Sequence, residues 1–461
     1  MRAALLSILV LILAAAVGGA FYYRARLESD PPQIKLSSDS GMLGTAPLEI
    51  DISDTGAGLR SVTATLSQGG ADKPLASEQF SQPVASRKIT VALAKLQGVA
   101  EGPAVLKVTA RDASFWHWGA GNEARLEKSI TIDITPPTIE LVADDRYINF
   151  GGVGAIVYKS STDTASTSVK VGSHEFAAFQ GAVKDHPDYW FALFAHAYDV
   201  QPTDRATIVA TDKAGNTREM RLAYELKNVH YKKSTIAVSD NFYQNKVVPL
   251  LKDVSKRNGS VKEVFVAVDK GVRKENEDKI TEVTSKATPK MLWDGTAFAQ
   301  LSNSKVEANF ADARTYTYNG EPIDTAFHLG YDLSVTKHYP IEAANSGVVV
   351  FTGDLGLYGN AIIIDHGLGL FTLYGHCSQI DVKVGDSVTK RGIIGKTGET
   401  GFAGGDHLHF GVYLDGVAIL PVEWWDPKWI ADNITPKLEG RSGEEIAVAQ
   451  QPHHKSSKKR R

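Results

Sequence analysis

Only one cysteine, Cys377, occurs in the 461 residues. No intrachain disulfide can form, so the fold has to rest on packed cores. Net charge is scarce too: 50 Lys and Arg against 53 Asp and Glu leave −3 at pH 7. That balance points to no nucleic-acid partner and to no generally acidic one. The helix-borne zinc motif H-E-x-x-H is also missing. "HEFAAF" at 174–179 begins like one, lacks the second histidine and reads as structural.

What is present starts at the N-terminus. "AALLSILVLILAAAVGGAFYY", residues 3–23, carries no charge and is closed by Arg24 and Arg26. About 20 apolar residues suffice to cross a bilayer as a helix. Tyr22 and Tyr23 fall where aromatics favour the membrane interface. A cleaved signal peptide would have a shorter apolar region. The expectation is therefore an uncleaved single-pass transmembrane helix at 1–26, in the cell membrane, with the bulk facing the periplasm or cell exterior.

A chain of this length holds several domains. "DPPQIKL" at 30–36 and "TPPTIEL" at 135–141 repeat one phrase. "VTARDAS" with "GAGNEAR" (108–125) is matched by "VATDKAGNTRE" (209–219) in the same way. Short alternating segments such as "LEIDIS", "VTATLS" and "KITVAL" predict strands. Two β-sandwiches, 31–135 and 136–228, are expected, and their D-x-A-G-N turn resembles that of bacterial immunoglobulin-like modules. Their expected role is that of spacers or contact modules for an envelope protein partner. Residues 229–310 read as a small helical linker, with Pro249 against one unbroken helix. Residues 311–435 are β-rich and glycine-rich. The polar, basic end, 440–461, predicts a disordered tail. The fold class is thus mainly β and multidomain.

Six histidines fall between 328 and 409: His328, His338, His366, His376, His407 and His409. In an extended "GDHLHF", His407 and His409 face one way and Leu408 and Phe410 the other. Two imidazoles on one face of a buried strand are costly unless something binds them. A catalytic zinc takes three protein ligands and keeps one position open. His328, Asp332 and one member of the 407/409 pair make such a set, leaving His376 and the other member as free imidazoles. Zinc lowers the pKa of a bound water to about 7, and nearby imidazoles can move protons or bind an oxyanion.

H-x-x-x-D, a later Y-x-H and then H-x-H inside "TGETGFAGGDHLHF" resemble the zinc endopeptidases of the LytM/lysostaphin type, metallopeptidase family twenty-three. "PIEAANSGVVVFTGD", "YGNAIIIDHGLGLFTLYGH" and "VKVGDSVTKRGIIGKTGETG" extend the likeness over about 320–432. The resemblance implies a C-terminal antiparallel β peptidase domain of this type. It implies one Zn²⁺ bound by His328, Asp332 and His409, with His376 and His407 as catalytic imidazoles and Asn360 lining the substrate groove. It implies cleavage of peptide cross-links in peptidoglycan. Two departures stand out: Ala403 and Gly404 in the turn before H-x-H, and Cys377 after His376, which reads as a buried core thiol. His338 and His366 match no role and read as structural. The alternative is a latent or non-hydrolytic protein of the same fold that binds the wall or activates another wall hydrolase. In the latent form, segment 229–310 would cover the groove.

Overall fold

The computed structural model describes residues 28–92 and 98–450, with residues 13, 17–19 and 26. The expected transmembrane helix at 1–26 and the last residues of the basic tail, 451–461, lie almost wholly outside them. Among the described residues no helix is long and apolar enough to cross a membrane. The chain forms two compact units: 1–137 with 163–165 and 211–218, and 138–162 with 166–210 and 219–461.

In the first unit the alternating segments become strands for the expected reason. "LEIDIS", Leu48–Ser53, buries every second residue. A three-stranded and a five-stranded sheet bury Ile50, Ile52, Leu59, Val62, Leu106 and Val108 in one core. The repeated Asp…Gly-Asn phrase closes a turn through side-chain hydrogen bonds. Asp112 Oδ1 accepts from the backbone N–H of Ser114 and Asn122, and Asn122 Nδ2 donates to Asp112 Oδ2 at 2.8 Å. Asp212 does the same with Ala214 and Asn216.

The second unit differs from the expectation of a self-contained sandwich over 136–228. One sheet joins seven strands, and its strands Val153–Ser160 and Trp190–Ala195 are buried along almost their whole length. Strands covered on both faces lose the alternating pattern. Phe176, Phe191 and Phe194 share a contiguous core with Trp293, Trp424 and Ile430 of the C-terminal region. Each buried large side chain stabilises the fold by roughly 1.5–3 kcal/mol. Residues 138–162, 166–210 and 219–228 are therefore structurally part of the C-terminal body, and a fragment beginning at 229 or 311 would cut its core.

Residues 229–310 hold helices, Val261–Val266 behind a Ser260/Glu263 capping box and Arg273–Thr284. Pro249 lies in a short 3-10 turn, Val248–Leu250. The segment also supplies strands: Lys233–Ala237 pairs with Ala313–Tyr318, and Lys305–Ala308 edges the C-terminal sheet. That sheet has eight strands, and its successive neighbours Lys305–Ala308, Tyr331–Ser334, Leu408–Leu414, Leu370–Gly375, Asn360–Gly367 and Gly347–Asp354 all pair antiparallel. The tail expectation needs correction at its start. Residues Gly443–Ala449 form a helix, because Ser442 and Glu445 cap it reciprocally and Ile446 is buried in the core.

Polar groups also tie the second unit together. The Glu423 carboxylate accepts from the N–H of Val153 at 2.9 Å and from Asn149 Nδ2 at 2.7 Å. Burial outweighs these bonds and pushes its pKa up to about 8. Between the unfolded value of about 4.3 and that level the folded state binds more protons, so stability falls as pH rises. We expect the urea midpoint to decline from pH 5 to pH 8 and Glu423→Gln to flatten that decline. An unchanged slope in the variant would assign the pH dependence elsewhere.

Candidate active site

Strand register builds the site. Asp332 on Tyr331–Ser334 lies directly opposite His409 on Leu408–Leu414, and His409 lies opposite Gly375, the residue before His376. Leu333 pairs with Leu408 on the other face, in the core. His328 follows the strand Glu321–Phe327, four residues before Asp332. His407 bridges Gly398 just before its strand.

The chain thus brings His328, Asp332 and His409 to one point. His328 Nε2 is 2.9 Å from Asp332 Oδ1 and 3.0 Å from His409 Nδ1, and His409 Nδ1 is 3.1 Å from Asp332 Oδ1. His328 Nδ1 faces the carbonyl of Asn309 at 2.9 Å and must donate to it. Its Nε2 is then free to present a lone pair. Two imidazole nitrogens and a carboxylate oxygen this close need a positive charge among them, a shared proton or a metal ion. Their separations approach the edge of about 3.3 Å between tetrahedral ligands at zinc bond lengths near 2 Å. The donor set therefore fits one ion of the zinc type.

Two further imidazoles stand beside this group. His376 and His407 have ring centres 4.7 Å apart, and His376 is 5.9 Å from His409. His376 adopts a positive φ of 62°, a backbone state uncommon outside glycine. Its Nδ1 donates to the carbonyl of Thr400 at 2.8 Å, leaving Nε2 as the free base position. Burial first, then the neighbouring His407 and His409, hold its pKa well below the ordinary value. His407 donates Nδ1–H to the carbonyl of Gly405, and its Nε2 is 3.5 Å from Asp332 Oδ1. Burial opposes the charged form of His407, but the Asp332 carboxylate outweighs it and raises the pKa. Burial opposes the charge on Asp332 also, yet His328, with hydrogen bonds from His407 and His409, holds that carboxyl well below the usual range.

All five side chains border a groove of about 720 Å³. One wall comes from segment 229–310, with Ile236, Phe242 and Lys246. Asn360 does not line it. The Asn360 amide donates to the carbonyl of Cys377 at 3.3 Å and so braces the backbone after His376. Cys377 is fully buried, with its thiol pushed up to about 12 by burial. His366 is buried between the carbonyl of Ser346 and Thr372 Oγ1, and His338 contacts Ser378.

Two residues of the site escaped the sequence reading. Arg314 reaches Asp332 Oδ2 at 3.1 Å, opposite the edge that faces the histidines. In "ARTYTY" it stands two residues before the buried Tyr316 and so shares its strand face, a pattern that by itself names no partner. Gly330 has no room for a side chain, since a Cβ there would meet His409 Nε2 at 2.6 Å and the Phe410 carbonyl at 2.7 Å.

Residues 326–421 match the model of Peptidase family M23. The chain is 38% identical over 95 residues to the DD-carboxypeptidase/endopeptidase Mpg of Neisseria meningitidis, covering 21% of this chain and 22% of that protein. It is 33% identical over 115 residues to the peptidoglycan DD-endopeptidase ShyA of Vibrio cholerae, covering 25% and 26%. With the stage II sporulation protein Q of Bacillus subtilis it shares 32% over 119 residues, covering 25% and 41%. The match thus spans well under half the length of each of these relatives.

Gly330→Ala should push the His409 ring off the donor triangle. We expect its affinity for Zn²⁺, read by competition with a chelating dye, to fall at least about tenfold, with the fold retained by circular dichroism. Unchanged affinity would mean that His409 is not a ligand or that its ring moves aside freely.

Proposed function

The domain at 326–421 belongs to peptidase family M23, and from that premise we propose that this protein is a zinc-dependent endopeptidase cutting peptide cross-links of bacterial peptidoglycan. We place it on the cell membrane through residues 3–23, with its bulk in the periplasm or cell exterior. The observation that carries the reading is the donor triangle of His328, Asp332 and His409 with two imidazoles beside it in one groove. The peptidoglycan endopeptidase name of one relative supports the substrate class.

His328, Asp332 and His409 would hold the Zn²⁺. When bound, the ion acts as a Lewis acid on a carbonyl and on water. His376, kept neutral with Nε2 free, accepts the proton of the attacking water at that atom. His407, the more basic of the two, donates from Nε2 to the developing oxyanion and then to the leaving amine. Thr400 and Gly405 fix both rings through Nδ1, so each presents Nε2 to the groove. Arg314 holds the outer oxygen of Asp332 and leaves Oδ1 facing the donors.

A second reading is a latent form of the same enzyme. Lys246 on the 229–310 wall donates to the carbonyl of Glu399 on the facing loop, a link that would narrow access to the histidines. In that reading a wall-bound or envelope protein partner displaces the segment.

The test is release of soluble muropeptides from purified peptidoglycan by the full chain. We expect release that is abolished by chelation, restored by Zn²⁺ and absent in His409→Ala. No release despite bound zinc, with release gained in Lys246→Ala, would favour latency. No release by either would count against hydrolysis.

A further inference from the structure

We propose that residues 115–118 of the first unit form an aromatic tip that seats in the headgroup layer of a phospholipid bilayer. The inference rests on the membrane placement of residues 3–23 given above. The loop reads "FWHW" and joins the strands Gly102–Asp112 and Glu123–Ile132. Trp116 is 47% exposed and Trp118 fully so, at 105%. His117 and Trp118 both hold positive φ, 49° and 60°. Bulky residues rarely adopt that state, and here it turns a tryptophan outward into water.

The tip is built rather than loose. The N–H of Gly119 donates to the carbonyl of Phe115, and that of Gly121 to the carbonyl of Trp116. Arg60 donates to the carbonyl of Gly119 at 2.9 Å. At its base, Asp112 accepts from the N–H of Ser114 and Asn122. A Cβ on Gly121 would fall 2.4 Å from the Asp112 carbonyl, so the chain there is closely packed.

What faces the tip follows from chain continuity. The N–H of Phe115 donates to the carbonyl of Arg26 at 2.7 Å, and the Arg26 guanidinium lies 5.7 Å from the Phe115 ring centre. Arg26 is three residues beyond the uncharged run 3–23. Three extended residues reach at most about 11 Å. With that run in a bilayer, the base of the tip at Arg26 is tethered within about 11 Å of the point where the run leaves it, and the proposal seats the tip in the headgroup layer there. Tryptophan prefers that layer, with its ring among the upper acyl chains and its N–H toward water. Arg26 and Arg60 at the base suit lipid phosphates. The partner is thus the lipid surface itself, with anionic headgroups favoured.

The test uses the full chain in phosphatidylcholine/phosphatidylglycerol vesicles. Because Cys377 is fully buried, a fluorophore can be placed on His117→Cys, keeping both tryptophans. Asp72→Cys is the control, since it lies near the far end of the strand Leu59–Gln68 whose first residue pairs with Asp112. We expect a blue shift at position 117, quenched more by shallow than by deep spin-labelled lipid, and none at position 72. Trp116→Ser with Trp118→Ser should reverse the shift. A chain that resists alkaline extraction but shows no shift at 117 would overturn the tip and leave the anchor standing. A chain that is extracted yet still shows the shift would overturn the anchor and support the tip. Loss of both would end both readings.

Discussion

One cross-strand pair, Asp332 opposite His409, sets the geometry of the groove. A register slip of one residue would turn every side chain of a strand to the other face. Here it would bury an aspartate and a histidine in the core and deliver Leu333 and Leu408 to the groove. The apolar partners therefore enforce the polar ones: because Leu333 and Leu408 must be inside, Asp332 and His409 meet on the outer side. The His328 ring completes the triangle from outside the strand, tied back by Asn309. Gly330 completes it by absence, since the His409 ring occupies the volume its side chain would need.

That register needs a rigid sheet, and the sheet is backed by more than its own domain. Phe191 and Phe194, over a hundred residues upstream, pack into one core with Trp424 and Ile430 behind the peptidase strands. Buried carboxylates span the same junction, Glu423 to Val153 and Asp145 to Lys437. A buried ion pair is weak evidence for stability but a strong penalty on misassembly, since a lost partner strands a charge. The second repeat, which the sequence presents as a spacer, is in energetic terms part of the scaffold that holds the groove.

How much of this was legible follows from what each feature depends on. His328 with Asp332 and His407 with His409 stood out because such residues are rare in apolar strands and each pair is local, whereas the grouping of both pairs with His376 and the choice of His409 over His407 came only from the family resemblance. The first unit was legible because its strands face water on one side and so alternate. The strand Trp190–Ala195, buried along almost all its length, carries no such signal, and the shared core behind it stayed hidden. Arg314 was invisible for a different reason: its partner is eighteen residues away and their contact exists only once both strands are in register. The helix Gly443–Ala449 was missed because a polar composition outweighed a local one, the Ser442/Glu445 box around a single buried Ile446. Asn360 was expected to line the groove, and its amide instead supports the backbone behind His376.

The two imidazoles outside the donor triangle divide their tasks by environment. Both rings are fixed through Nδ1 to a backbone carbonyl, so their tautomers are equal and only their basicity differs. His376 has no carboxylate bonded to it and is buried, so it stays neutral. His407 has Asp332 within reach of Nε2, so it holds a proton more readily. A cation on the donor triangle would repel protons from both rings, and more strongly from a ring with no compensating carboxylate. The order of basicity is therefore built into the chain, and the proposed roles, His376 as acceptor and His407 as donor, follow that order. Asp332 is the hinge of this division, since the same Oδ1 that completes the triangle also faces His407. Arg314, by holding the other oxygen, keeps that edge turned inward.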